Sequence, residues 1–469
     1  MAKMAKQYLA IILAATIIFV AAAQTKAQEN VKLPNKLRLR TERTTHPDAQ
    51  WFPDAGLGLF IHYDPSCLHH ASVWTCFLFE EKPGWMKADF RSPTEYFELA
   101  DKWNPEKYDP DKWMKAAKSA GFKYAVLTAR QHIGYAIWPS QYGEMSTRQY
   151  MNGRDLIRPY VEACRKNDLK VGFYYSGPDW YYEREYINFY FGKSEEEPVK
   201  RDNYFINYKH ERVDNLPKRT PQWRQQFREF RRGQIFELLN NYGNIDIWWW
   251  DGGGSVTAEE MRKINPGIII NNRGGGGDFV TPECQEHFKY EYIKEARKNG
   301  WWIELCEIWP YGLWNYGDPK VSEELKDTGW LLYLLAKCRC WDCNLLLDVG
   351  PRPDGQMPQQ FYDKCTEMAE WMKHSGESVF GITGGGPYPE KSNVPITIKK
   401  NIWYLHPDYR RETWDEPIVV QDVEKPVAVK LLRTGEPLNY TYNDQTLTIL
   451  IPKSKRTDLT DVVAVQFQQ

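Results

Sequence analysis

The sequence predicts an α/β protein: a (β/α) barrel of the TIM type followed by a small antiparallel β-sandwich domain. Two observations carry this. Short apolar runs alternate with amphipathic segments over roughly 320 residues, which indicates a parallel sheet wrapped in helices. Beyond Gly376 the texture changes to short alternating strands separated by turns such as Asn443-Asp444, which reads as an antiparallel β unit. A third observation locates the chemistry. Ile245 to Trp250 is almost wholly apolar, too short for a core helix, and bounded by Gly243 and by Gly252-Gly253-Gly254. A doubly buried parallel strand reads this way. Asp251 then stands at its C-terminal end, where barrels carry their reactive groups, although a lone strand-end Asp also suits a turn cap.

From the N-terminus, Lys3 and Lys6 precede an apolar run from Leu9 to Ala23 and small residues follow, the pattern of a secretory signal peptide over residues 1–27. The mature chain is expected to be exported, periplasmic or secreted, with no membrane span once the leader is removed. Residues 28–378 are assigned to the barrel and 388–469 to the β-sandwich domain, with Gly384-Gly385-Gly386-Pro387 as the hinge. Leu57 to His62 begins the barrel as its first strand. Asp109-Pro110-Asp111 caps a helix that runs to Lys118 before Gly121. Strands are expected at 123–128, 171–176, 268–271, 301–309 and 345–349, and helices at 154–166, 221–241, 321–337 and 359–373. With the Asp251 strand this gives seven strands, one short of a full barrel.

A net charge of -1 argues against nucleic acid as a partner. The aromatic share is 15%, with 20 Trp and 29 Tyr, and flat rings with polar edges suit the faces of sugars as well as a large core. Nine cysteines leave at least one unpaired if all bonds are internal. Cys338, Cys340 and Cys343 lack a partner pair at zinc spacing and read as buried structural residues. No metal and no cofactor is expected.

The strand ends collect one set of side chains: His62, Gln131-His132, Tyr174-Tyr175 with Asp179-Trp180, Asp251, Asn271-Asn272-Arg273, Asp278 and Glu283, then Glu304, Glu307 and Trp314. Carboxylates among Trp, Tyr and His on one rim describe a glycosidase site. A pair about 5–5.5 Å apart would act with retention and a wider pair with inversion.

In order along the chain, Gly56-Leu-Gly-Leu-Phe-Ile-His62, Tyr124-Ala-Val-Leu-Thr with His132-Ile-Gly-Tyr135, Gly153-Arg-Asp-Leu156, Gly172-Phe-Tyr-Tyr-Ser176, Trp249-Trp-Asp-Gly252, Asn271-Asn-Arg273 and Asn344-Leu-Leu-Leu-Asp-Val-Gly-Pro-Arg-Pro-Asp-Gly355 resemble the α-L-fucosidases of glycoside hydrolase family 29. The resemblance implies Asp251 as nucleophile and Glu283 as acid/base, with Glu304 in Trp302-Ile-Glu-Leu-Cys306 as the competing candidate. It implies sugar contacts from His62, His132, Trp249 and one of Tyr174 or Tyr175, with Gln131 and Trp314 added to the same shell. It also implies a fucosylated oligosaccharide or glycoconjugate as substrate. The chain departs from the family where His-His-Asp-Gly becomes Gln131-His132-Ile133-Gly134, and where the segment holding Cys67, His69, His70 and Cys76 has no clear counterpart. Those departures keep an α-L-galactosidase, or a carbohydrate-binding homologue with weak catalysis, as alternatives, because unpaired polar groups in a sugar site discriminate strongly. A metal-dependent hydrolase built on His62, His69, His70 and His132 is the remaining rival class.

Overall fold

A computed structural model describes residues 42–84, 86, 88–191, 204–285, 288–383 and 385–468. The leader segment and Gly384 lie outside them. Eight parallel strands form the barrel: β1 (Leu57–Ile61), β2 (Tyr124–Arg130), β3 (Lys170–Ser176), β4 (Ile247–Asp251), β5 (Ile269–Ile270), β6 (Phe279–Val280), β7 (Trp302–Ile308) and β8 (Cys343–Asp348). Their hydrogen-bonded order is β6-β7-β8-β1-β2-β3-β4-β5, and a parallel bridge between Asn271 and Phe279 joins the two ends. The eighth strand is the two-residue β6. It is too short for a hydrophobic pattern to reveal, and pairing with its neighbours is what makes it a strand.

The helices include α1 (Pro110–Ser119), α2 (Ile157–Lys166), α3 (Pro221–Asn241), α4 (Tyr290–Lys298), α5 (Thr328–Cys340) and α6 (Gln359–Ser375). The Asp109 side chain accepts from Lys112 N at the start of α1, and that of Thr220 accepts from Trp223 N at the start of α3. The single helix expected over 321–337 is broken. A short turn at Pro319–Ser322 precedes α5, and the intervening backbone pairs elsewhere: Lys326 N donates to Trp309 O and Tyr311 N donates to Glu324 O. Those bonds satisfy groups that a continuous helix would have used internally.

Side chains alternate across each strand. Phe60, Tyr174, Trp249, Trp302, Cys306 and Leu346 fill the barrel lumen, while Ile61, Phe173, Tyr175, Trp248 and Trp250 join the layer under the helices. Ala49, Phe52 and Ala55 pack into the same lumen cluster from the chain that precedes β1. Gly58 has no side chain because a Cβ there would lie 2.2 Å from the Tyr124 ring.

Beyond the barrel, β9 (Ile396–Lys399), β10 (Ile402–Leu405), β11 (Ile418–Val420), β12 (Ala428–Leu431), β13 (Tyr440–Asn443), β14 (Thr446–Ile449) and β15 (Val463–Gln466) form two antiparallel sheets, β9-β10-β15-β12 and β11-β14-β13. They share one apolar core that includes Ile396, Leu405, Ile449 and Val463. Trp371 Nε1 of α6 donates to Thr460 O at 2.8 Å, and Gly386 N donates to Cys340 O at 3.1 Å, so the second unit is stitched to the outer helices of the barrel. Eight cysteines, Cys338, Cys340 and Cys343 included, are buried and form no disulfide.

Glu304 is a lumen residue with no solvent exposure. Its Oε2 accepts from Tyr124 OH at 2.5 Å and its Oε1 from Trp249 Nε1 at 3.0 Å. Burial dominates, and despite these two donors it pushes the carboxyl up from 4.5 to about 7. A folded-state value above the unfolded one contributes stability that is complete below about pH 4.5 and lost as pH rises through 7. One pKa unit corresponds to about 1.4 kcal/mol, so the ionised form costs on the order of 3 kcal/mol. Glu304→Gln keeps an acceptor for Trp249 and offers an N–H to Tyr124 OH. Denaturant titrations should therefore move in favour of this variant, relative to the parent, by on the order of 3 kcal/mol between about pH 4 and about pH 8. A pH-independent difference between the two proteins would contradict this account of Glu304.

Candidate active site

Parity along the strands decides what meets at the C-terminal mouth of the barrel. Asp251 continues the lumen-facing row of Ile247 and Trp249, and His62 continues that of Phe60. Five strands, or the loops that directly follow them, contribute to one constellation. Asp251 Oδ2 accepts from Tyr174 OH at 2.8 Å and lies 3.2 Å from His132 Nε2. Its other oxygen, Oδ1, accepts from Arg273 Nη1 at 3.2 Å. Arg273 Nη2 donates to Glu283 Oε2 at 3.1 Å, so a single guanidinium spans the two carboxylates. The same guanidinium lies 4.5 Å from the centre of the Trp249 ring, a cation–π contact that fixes its plane.

The electrostatics follow from this geometry. Burial alone would raise the Asp251 carboxyl. The hydrogen bond and charge of His132, the charge of Arg273 and the Tyr174 hydroxyl together outweigh it and hold Asp251 well below the usual carboxylate range. Burial likewise opposes the charge on Arg273, and Glu283 and Asp251 more than offset it, so the guanidinium stays protonated. Burial, followed by the neighbouring Asp251, raises the Tyr174 hydroxyl, which remains a donor.

Two outer contacts orient the imidazoles. His62 Nδ1 lies 2.6 Å from Asp348 Oδ1, and burial raises that carboxyl to about 6 although His62 draws it down. His132 Nδ1 bonds the Ser176 hydroxyl, which itself donates to Pro178 O at 2.7 Å. The hydroxyl has only one proton to give, so it accepts from Nδ1–H and aims Nε2 at Asp251. Trp314 packs on His62, with ring centres 5.4 Å apart.

The remaining candidates separate. Tyr175, the alternative to Tyr174, faces the helices: its hydroxyl donates to Gln234 Oε1 at 2.9 Å and its ring lies 4.3 Å from the Arg130 guanidinium. Glu304 lies in the lumen with both oxygens engaged, whereas Glu283 is at the mouth with 39% of its side chain exposed. Gln131 is buried, and its Oε1 accepts from the His132 backbone N–H. Ile133, its altered neighbour, is buried in the apolar layer. Asp278 is a structural residue paired with Arg262 at 2.7 Å, and Glu307 pairs with Lys326 at 3.2 Å. His69 and His70 bond the carbonyls of Glu95 and Gly317, away from His62 and His132. The sequence places Arg273 among the strand-end side chains without a role, and it does not single out Asp348 or Ser176 as site residues. For Asp348 and Ser176 the only signal there is membership of the Asn344–Gly355 and Gly172–Ser176 motifs, whose strands they end.

The segment that holds Cys67, His69, His70 and Cys76 builds a wall. Trp74 and Phe77 from it, with Trp180, Tyr186 and Phe191, line a cleft of about 580 Å³ that reaches His132 and includes the Glu183–Arg219 ion pair.

A family model described as alpha-L-fucosidase matches residues 20–377. Tissue alpha-L-fucosidase of Bos taurus is 22% identical over 439 residues, covering 87% of this chain and 85% of the relative. Among solved structures, alpha-L-fucosidase isoenzyme 1 from Paenibacillus thiaminolyticus is 27% identical with a TM-score of 0.68, covering 90% of this chain and 99% of its own. An alpha-L-fucosidase from Bacteroides thetaiotaomicron shares the fold at 21% identity and a TM-score of 0.70, covering 93% of this chain and 100% of its own. The family match spans the barrel and every strand end that builds the mouth, and on that ground the chain belongs to the alpha-L-fucosidase family.

Proposed function

We propose that this chain hydrolyses terminal α-L-fucosyl residues of glycans with retention of configuration, with Asp251 as nucleophile and Glu283 as acid/base. The observation that carries the reading is the clamp of Asp251 and Glu283 on one guanidinium, with Asp251 held ionised by His132, Arg273 and Tyr174. In the first step an Asp251 oxygen bonds to the anomeric carbon as the glycosidic bond breaks, and Glu283 gives its proton to the departing oxygen. In the second, Glu283 takes a proton from water, whose oxygen displaces Asp251 from the same carbon. Two inversions give net retention. Arg273 must release Glu283 for it to carry the proton, and a leaving group entering between them would bring that about. The Bacteroides thetaiotaomicron relative is described as a trapped covalent intermediate with 2-fluoro-fucosyl fluoride in a Glu-to-Gln mutant, which supports the same two-step course here.

His62, His132, Trp249 and Trp314 surround the position the sugar would take, and the aromatic cleft beside His132 would receive the leaving portion. Among the described residues no helix is long and apolar enough to cross a membrane. The Lys3, Lys6 and Leu9–Ala23 pattern supports an exported enzyme, periplasmic or secreted, and the separate apolar cores support barrel and β-sandwich units at 28–378 and 388–469.

Asp251→Gly should lower kcat/KM on an aryl α-L-fucoside by at least about 10³-fold. Azide should restore turnover and yield the glycosyl azide of inverted configuration. Proton NMR of the parent reaction should show α-L-fucose forming first, and an aryl α-L-galactoside run in parallel reports the rival specificity. Near-parental activity of Asp251→Gly, or β-L-fucose as first product, would overturn the mechanism.

Loss of a proton donor matters most when the leaving group is poor, and such a donor is worth about 10²–10⁴-fold. Glu283→Ala should therefore fall in that range on a fucosylated oligosaccharide and far less on a nitrophenyl fucoside. The same split in Glu304→Ala, and not in Glu283→Ala, would move the role to Glu304.

A further inference from the structure

A second cleft, of about 520 Å³, opens on the same rim but on the helix side of β4. Arg224, Arg228 and Arg231 of α3 line it, opposite Trp250, Ser255 and the glycine backbone around Gly274. Spacings of four and three residues place the three arginines on one helical face, along about 10 Å of axis. Among the described residues lining the cleft none is acidic, and neither Arg224 nor Arg228 has an ion-pair partner. Arg232, next along the helix, is held by both oxygens of Glu260, at 2.7 and 3.2 Å. The helix therefore neutralises Arg232 beside the cleft and leaves Arg224 and Arg228 within it without an ion-pair partner.

Two buried polar atoms at this place have no hydrogen-bond partner: Ser255 Oγ and Arg231 Nε. Buried donors without partners cost free energy, and a site for a polar ligand is one physical reason to keep them. Arg231 is not a free surface charge. Its Nη1 donates to Gly177 O at 2.8 Å, and Gly177 N donates to Asp251 O at 2.8 Å, so one residue links the cleft to the backbone of the strand end that carries Asp251. Burial, followed by the neighbouring Arg130, opposes the charge on Arg231, and Tyr175, Glu183 and Asp179 on its other side offset this only in part. Across the cleft, Gly274 packs flat on the Trp250 ring, where a Cβ would lie at 2.3 Å, while a Cβ at Gly275 would meet nothing within 4 Å, so the wall at Gly275 is bare backbone that a ligand can approach closely.

We infer that this cleft binds anionic substituents, sulfate esters or carboxylates, of an acidic oligosaccharide whose fucosyl end occupies the barrel mouth. Guanidinium forks match both oxyanions through paired N–H donors, and three of them along one helix face suit a chain with repeated charges better than a single ion. The inference rests on the fucosidase reading for the reaction, and on the arginine cleft alone for the binding.

The full chain is assayed on a fucosylated oligosaccharide in sulfated, uronate-bearing and neutral forms, and on an aryl α-L-fucoside. The acidic forms should be preferred by about tenfold or more in kcat/KM, with the preference shrinking as salt is raised. The Arg224→Gln/Arg228→Gln double variant should lose that preference and hydrolyse the aryl fucoside at the parent's rate. Calorimetry with a fucose-free sulfated oligosaccharide should show binding to the parent and its loss in the double variant, a readout independent of turnover. Equal kcat/KM on acidic and neutral forms together with no calorimetric binding, or binding unchanged in the double variant, would overturn the inference. If the parent leaves the aryl fucoside intact, the fucosidase reading fails, and calorimetry still decides the cleft.

Discussion

Strict alternation of side chains along parallel strands is the constraint on which this molecule depends. In a closed barrel each strand residue faces either the lumen or the helices, and one residue of slippage exchanges the two sets. On β4 it sends Trp249 and Asp251 to the lumen side and Trp248 and Trp250 to the helices. On β3 it sends Tyr174 to Asp251 and Tyr175 to Gln234. The same rule separates the two clefts of the rim. Trp249 floors the mouth, where carboxylates meet a cation, and Trp250 walls the arginine cleft on the other side of the strand.

Charge in the mouth is arranged so that burial does not neutralise it. A buried carboxylate alone would take up a proton. Asp251 escapes because three donors, from the loop after β2, from β3 and from the loop after β5, converge on its two oxygens. Arg273 escapes the opposite fate because it holds two carboxylates at once. Glu304 has two neutral donors close by, and burial prevails there. Asp251, with 26% of its side chain exposed and charged donors on both oxygens, stays ionised, whereas Glu304, an acid of the same lumen row, is fully buried and has neutral donors only.

The outer shell protects this arrangement mechanically. Asp348 and Ser176, from the ends of β8 and β3, fix the ring planes of His62 and His132. Asn271 Oδ1 accepts from Trp250 N at 2.8 Å while its Nδ2 donates to Trp250 O at 2.9 Å, which ties the short β5 to the strand end that bears Asp251. The β-sandwich is anchored through Trp371 and Gly386 to elements on the outer side of the barrel, away from the mouth.

The sequence specified the barrel, because runs such as Leu57–Ile61 and Ile247–Trp250 can be satisfied only by burial on both faces, and their spacing leaves room for one helix between strands. It also determined that Asp251 ends such a strand, since a carboxylate between Trp250 and three glycines has no place inside the apolar run. It did not reveal β6, whose two residues make no periodic signal, nor the break before α5, which depends on backbone pairing with Trp309 and Tyr311. The choice of Tyr174 over Tyr175 was open because adjacent residues of one type are equivalent until the register is set. The separation of Glu283 from Glu304, the clamp by Arg273 and the cleft along α3 were decided by tertiary structure alone. Each joins residues from different strands, loops or helices, and the distances between them exist only once the barrel has closed.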